Sequence, residues 1–362
     1  MSETSANGAR GREIAVDRLA VHFGDDAGLS DLSLTVAAGE RVVVVGPSGA
    51  GKTTLLRAIA GLAAVQAGAV RVGGDDVTSR QPERRGVVYL HQTPVLFPHL
   101  DVGQNVAFPL RVRGEGSAVA AARVSEALDA LHLSGFERRS AMSLSGGQRH
   151  RVALARAIAA RPAGLLLDEP LSALDPALRA DVRDAIVRAQ KDYGPAMLLV
   201  THDLDDAGLL ADRIAVLLGG RLAQVATPAT LFARPASLAV ARFLGVFEEV
   251  TGVVGDDGRV TCPLGVLPAD ARGAPRHAGQ HVAVVMRADA LRAGPPVSGS
   301  PQGRVVAVRQ RARVATVVVR VDDGGDGIAV EATCDMSQPV LAVGDVVSVM
   351  LDMSRALVFP IE

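Results

Sequence analysis

Tryptophan is missing from this chain, tyrosine occurs twice, and aromatic residues make up 3% of its 362 residues. The core therefore has to be built from Val, Leu, Ile and Ala, as buried parallel sheets and their covering helices usually are. No apolar run approaches the roughly 20 residues that span a bilayer, so a membrane role is expected only from outside the lipid. The opening stretch, MSETSANGARGREIAVD, is polar and does not read as a secretory signal. Cys262 and Cys334 are the only cysteines and lack metal-ligand spacing; no sequence feature supports a disulfide between them, and a reducing cytoplasm is the simpler reading. A net charge of −1 gives no reason to expect a general polyanion binder.

What is present is an ordinary globular composition, 48% apolar and 21% charged, in a length suited to two or three domains. After a disordered-looking start over 1–12, Ile14–Val21 and Leu29–Val36 read as strands. Arg41–Val45 is a continuous apolar strand, and Thr53–Leu62 has helical spacing. Val65–Ser79 suggests antiparallel strands. Helix formers dominate from about Val95 to Leu133, with an amphipathic pattern over Ala118–Leu131. Strand-like runs return at Leu165–Leu167 and Ala196–Val200, with a helix from about Pro176 to Asp192 between them. Such alternation predicts a parallel sheet covered on its faces. Near Gly245 the character changes to short β-patterned runs, His281–Arg287, Arg304–Val321, Ile328–Cys334 and Asp345–Met353, separated by Gly, Pro and Asp. The organisation expected is an α/β domain over 13–240 and an all-β domain over 246–362.

In a doubly wound sheet, ligands bind beyond the carboxyl ends of the strands, and four strands here end in chemically loaded residues. Val42–Val45 runs into GPSGAGKTT, from Gly46 to Thr54, a Walker A loop. Its glycines let successive amides curl around phosphate oxygens, Lys52 adds positive charge at the β and γ phosphates, and the Thr53 hydroxyl suits Mg²⁺. Leu165–Leu167 runs into Asp168 and Glu169. Two carboxylates after three leucines are costly to bury unless a cation or a water needs them. Asp168 suits Mg²⁺, and Glu169 suits the base that polarises the attacking water; the bland alternative is a helix cap. Val87–Leu90 runs into His91 and Gln92, and Met197–Val200 into Thr201 and His202. Alone, Gln92 reads as a solvated loop residue and His202 as a cap for the next helix. Their strand ends raise them to candidates, His202 for the γ-phosphate and Gln92 for Mg²⁺ and the nucleophilic water.

A second, unfinished phosphate site follows. In LSGGQ, Leu144–Gln148, two glycines sit between a serine and a glutamine at a helix start, but no lysine completes it.

With these motifs in order, the stretch from about Ile14 to Leu244 resembles the ATP-binding subunits of ATP-binding cassette (ABC) transporters. The resemblance implies an α/β P-loop NTPase fold with a helical subdomain over about 95–158, binding ATP with Mg²⁺. It makes Gln92 part of the Q-loop that couples to the membrane subunits, Ser172–Asp175 the D-loop and His202 the switch histidine. Phe23 matches the place of an aromatic that packs on adenine. The expected nucleotide contacts are Phe23, Gly46, Ser48, Gly49, Ala50, Gly51, Lys52, Thr53 and Thr54, with Ser145, Gly146, Gly147, Gln148 and Asp175; the expected metal contacts are Thr53, Gln92 and Asp168. Catalysis falls to Glu169, His202 and Gln92. The unfinished loop is then explained: in this family two subunits pair head to tail, and the signature of one faces the γ-phosphate held by the other.

The C-terminal part resembles the OB-type TOBE domain of bacterial importer subunits for sugars, polyamines, iron, sulfate or molybdate. TPATLFARPASLAVARFLG at Thr227–Gly245 looks like the linker of that group, and RVVAV and VGDVVSVML like its strands. An importer implies permease subunits, an extracytoplasmic solute-binding protein and a peripheral place on the cytoplasmic face of the membrane. The competing reading is a soluble ABC-type ATPase acting on nucleic acid or ribosomes, with the C-terminal domain as reader. A nucleic-acid surface of that type uses stacking aromatics, and none occurs between Glu248 and Val358. Arg309, Arg311 and Arg313 alternate, which also fits a solvated strand face. A third reading, compatible with the importer, makes the C-terminal domain a regulator that binds a small molecule or anion.

Overall fold

The fold is that of a computed structural model, in which residues 11–23, 27–172, 174–245, 247–269, 271, 277–310, 315–322, 327–334 and 341–361 are described. The chain divides into two compact units, Met1–Leu231 and Phe232–Glu362.

The first unit carries strands β1 (Ile14–Phe23), β2 (Ala27–Val36) and β3 (Arg41–Val45), helix α1 (Lys52–Ala60), then β4 (Ala67–Val72), β5 (Asp75–Asp76) and β6 (Val87–Leu90). Helices α2 (Val102–Val112), α3 (Ser117–Ala130) and α4 (Gly146–Ala159) follow in succession. Then come β7 (Gly164–Asp168), α5 (Pro176–Tyr193), β8 (Ala196–Val200), α6 (Leu204–Leu210), β9 (Arg213–Leu218) and β10 (Arg221–Ala226), with α7 (Pro228–Ala233) at the boundary. One sheet has the order β10-β9-β3-β8-β7-β6, in which β9, β3, β8, β7 and β6 run parallel and β10 is an antiparallel edge. A second, antiparallel sheet has the order β2-β1-β4-β5.

Helix α1 is the joint between these sheets. Leu55, Leu56 and Ile59 pack in one cluster with Ile14, Leu19 and Leu29 of the antiparallel sheet and with Val44, Leu166 and Leu198 of the parallel one. Strands β7 and β8 are buried at every position, which is why they read as unbroken apolar runs rather than alternating ones. Burying this joint fixes the start of α1, and with it Lys52 and Thr53, against the ends of β7 and β8.

The second unit begins with α8 (Leu238–Leu244), followed by β11 (Phe247–Val254), β12 (Val260–Cys262), β13 (Gly265–Leu267), β14 (His281–Arg287), β15 (Leu291–Gly294), β16 (Gln302–Gln310), β17 (Ala315–Val321), β18 (Ile328–Cys334), β19 (Val346–Leu351) and β20 (Leu357–Pro360). It forms a sheet β13-β12-β11-β14-β20 and a closed barrel β15-β18-β17-β16-β19. The barrel fits the OB-like expectation. The apolar run Arg304–Val321 is not one strand: β16 and β17 pair antiparallel, Gly303 opposite Val321 and Gln310 opposite Ala315. Cys262 and Cys334 are free thiols. Arg309 is ion-paired to Glu331 at 2.7 Å, whereas Arg311 and Arg313 lie outside the described residues. No described helix is long and apolar enough to cross a membrane.

Candidate functional site

The four loaded strand ends come from β3, β8, β7 and β6, which are consecutive neighbours and parallel, so they open on the same edge of the sheet. Gly46 follows β3, Thr201 and His202 follow β8, Asp168 ends β7 and Glu169 follows it, and His91 and Gln92 follow β6.

The loop after β3 can be made only by small residues. A Cβ on Gly46 would sit 2.2 Å from the Leu217 carbonyl oxygen, and Gly51 holds φ +99° at the N-cap of α1, where a Cβ would meet Leu29 at 2.6 Å. Ala50 is buried, while Ser48 and Gly49 are exposed. The first turn of α1 contains no acid and has no side-chain cap, so its amides and positive dipole end stay free for an anion. Lys52 Nζ folds back over the loop and donates to the Gly46 and Pro47 carbonyl oxygens at 2.8 and 2.9 Å. Burial pulls the Lys52 ammonium below the usual lysine range, and the carboxylates of Glu169 and Asp168 oppose that shift. Thr53 Oγ1 donates to Asp168 Oδ1 at 3.1 Å, and Thr54 is half-buried beside it.

Asp168 and Glu169 are both buried. Neither caps a helix: Asp175 Oδ1 accepts the Leu178 amide and caps α5. Glu169 is held at φ +52°, a left-handed conformation that costs a non-glycine residue roughly 1–3 kcal/mol. Its amide donates to the Val200 carbonyl at 3.0 Å, and the Ser172 hydroxyl donates to its carbonyl at 3.0 Å. These bonds on both sides aim the Glu169 side chain at the histidine, whose Nδ1 lies 2.8 Å from Glu169 Oε2. His202 does not cap α6 either; Asp203 does, accepting the amides of Asp205 and Asp206.

Two groups are placed less tightly. Gln92 is exposed and, among the described residues, bonds to none of Lys52, Asp168 or Glu169. Phe23 ends β1 opposite Ala27, and its side chain lies outside the described residues.

The signature begins α4. Ser145 Oγ accepts the Gln148 amide at 3.3 Å, and the Gln148 side chain accepts the Ser145 amide at 3.0 Å, a reciprocal capping box. The Arg149 amide is taken by the Ser145 carbonyl. Of the four amides a helix start leaves unpaired, those of Gly146 and Gly147 remain, without side chains to cover them. Among the described residues no hydrogen bond joins this cap to Lys52, Thr53, Asp168 or Glu169.

Sequence reasoning missed Tyr89, whose hydroxyl donates to Asp168 Oδ2 at 2.8 Å. Burial, reinforced by that carboxylate, raises the phenol's pKa. The only signal was its position three residues before Gln92 in VVYLHQ; a tyrosine in a strand otherwise reads as packing.

A family model described as "ABC transporter" matches residues 29–172. The spermidine/putrescine import ATP-binding protein PotA of Rubrobacter xylanophilus is 40% identical over 97% of this chain and 96% of its own length. The Fe(3+) ions import ATP-binding protein FbpC of Streptomyces avermitilis is 40% identical over 93% and 95%. The chain belongs to the ABC transporter ATP-binding subunits. A solved structure of an ATP-binding subunit of an ABC transporter matches at TM-score 0.57 and 26% identity, over 64% of this chain and 98% of that one. As a member of the import group the chain is an ATP-hydrolysing subunit that serves membrane subunits, and the nucleic-acid alternative has no support among these relatives.

Proposed function

We propose that this chain energises solute import from the cytoplasmic face of the inner membrane by binding and hydrolysing ATP at sites shared between two head-to-tail copies of itself. The supporting observation is the hydrogen-bonded row Thr53–Asp168 and Glu169–His202 beside a glycine loop, together with a signature helix whose free amides are bonded to none of it. The Walker A amides and Lys52 bind the phosphates. The donor set of the Thr53 hydroxyl and the buried Asp168 carboxylate fits Mg²⁺, a hard cation that takes oxygen ligands; when bound it neutralises phosphate charge. Glu169 accepts a proton from the attacking water, and His202 orients that carboxylate and reaches for the γ-phosphate. Gly146 and Gly147 of the second copy offer their amides to the same phosphate.

Gln92, on the loop after β6, relays this state to permease subunits, and exposed Val95, Phe108 and Val112 give the helical region apolar surface for such a partner. An extracytoplasmic binding protein and the permease choose the cargo, a small solute of the polyamine, iron or sulfate kind. Replacement Glu169→Gln tests the central claim. With Mg²⁺ and ATP it should yield a stable dimer on size exclusion and no sustained phosphate release; near-normal release overturns the role of Glu169.

A further inference from the structure

Strands β6 and β7 pair in parallel with Tyr89 opposite Leu166. Side chains alternate across a strand, so Leu166 and Asp168 share a face of β7 and Tyr89 stands beside them. The two oxygens of Asp168 are therefore held by different elements: Oδ1 accepts from Thr53 of α1, and Oδ2 accepts from Tyr89 of β6. The terminal torsion of a carboxylate is otherwise broad and roughly two-fold, and at 1% exposure Asp168 has little access to bulk water that could take over either bond. The Tyr89 ring is itself steadied against His91, with centroids 4.3 Å apart.

We propose that Tyr89 is a positioning residue for the divalent-cation site: its hydroxyl fixes the Asp168 carboxylate with Oδ1 turned to the Thr53 hydroxyl, and so sets the affinity of the nucleotide site for the cation. This rests on the reading of Asp168 as the metal-binding carboxylate. Groups that orient a metal ligand typically change metal affinity by about 10–100-fold when removed. Loss of the hydroxyl also leaves a buried carboxylate oxygen without its donor.

The test is a titration of the full chain and a fluorescent ATP analogue with Mg²⁺, and of the same analogue in EDTA. Tyr89→Phe should raise the half-saturating Mg²⁺ concentration about 10-fold and leave affinity in EDTA unchanged, a split that a merely structural defect would not give. Asp168→Asn should abolish the Mg²⁺ dependence. If Asp168→Asn keeps wild-type Mg²⁺ dependence, the metal reading of Asp168 fails. If Asp168→Asn loses it while Tyr89→Phe matches wild type, the role of Tyr89 alone is overturned. A second measurement keeps the Tyr89 hydroxyl. The chain has two tyrosines, so 3-fluorotyrosine labelling gives two ¹⁹F resonances, assigned with Tyr193→Phe. The Tyr89 resonance should move when Mg²⁺ joins bound nucleotide, and the Tyr193 resonance should not. An unmoved Tyr89 resonance refutes the proposal.

Discussion

His202 Nδ1 sits 2.8 Å from Glu169 Oε2, yet the two side chains differ sharply in access: that of His202 is 70% exposed and that of Glu169 11%. The pair is a buried carboxylate with an open imidazole at its mouth. The carboxylate can be oriented from within while the ring meets a phosphate from outside. Replacement His202→Ala keeps every Walker A contact and removes both the partner that orients Glu169 and the ring that reaches for the γ-phosphate. We expect ATP affinity within about twofold of wild type and turnover lowered by about 10²–10³-fold, within the range usual for positioned acid–base groups. Steady-state phosphate release with parallel nucleotide titration checks this; a loss of affinity as large as the loss of turnover would assign His202 to binding instead.

Arg85 predicts a stability effect away from the chemistry. It is buried and donates to the carbonyls of Ala58 and Ile59 at the end of α1, and to those of Thr78 and Arg80. Helix α1 thus ends on a guanidinium and begins at Lys52. Replacement Arg85→Met keeps much of the apolar stem and removes the guanidinium donors from four carbonyls, of which that of Ala58 keeps the Gly61 amide. The expected loss is about 3 kcal/mol, since buried acceptors lose charge-assisted partners. Urea denaturation measures it, and a change below about 0.5 kcal/mol would mean that water replaces the guanidinium.

Much of the site was legible because a parallel sheet writes itself plainly. Its buried strands are apolar runs, and each run stops at a residue of the site: Val45 before Gly46 of the glycine loop, Leu167 before Asp168, Val200 before Thr201. Side-by-side placement of these ends is a topological fact that pattern alone suggests and pairing fixes. Tyr89 escaped because its bond crosses 79 residues, and no local spacing encodes it. In the second unit, Arg304–Val321 read as one run because the residues between β16 and β17, RARV, contain no Gly, Pro, Asn or Asp to signal a turn. Strand β11 escaped because Glu248 and Glu249 sit side by side within it and break the alternation over its first half.

Where the chain can be cut follows from α8. Leu238 and Ala241 pack with Ala283, Val285, Leu357 and Phe359, so α8 goes with the sheet of the second unit, while buried Leu231 of α7 closes the first. A chain ending at Pro235 should bind the fluorescent ATP analogue like the full chain and remain monodisperse. A chain ending at Gly245 should bind equally but carry the uncovered apolar stripe of α8, visible as greater binding of a hydrophobic dye. Failure of the shorter chain to bind nucleotide would show that the two units do not fold independently.

The signature helix supplies the most demanding test. Lys52→Ala removes the cation of the Walker A loop, and Gly147→Asp puts a carboxylate at the free amides of α4, where it repels phosphate. Each homodimer has two damaged sites and should be inactive. If the signature acts across an interface, a mixed dimer concentrates both lesions in one site and leaves the other intact. If it acts within its own chain, every site keeps one lesion. An equal mixture should therefore recover part of the wild-type phosphate release, up to about a quarter when pairing is random and sites are independent, and should form ATP-dependent dimers that neither variant forms alone. Both readouts are needed because coupled sites can bind together without turning over singly. With both variants folded, recovery in neither would remove the head-to-tail arrangement, and the free amides of Gly146 and Gly147 would have to serve a ligand bound within one chain.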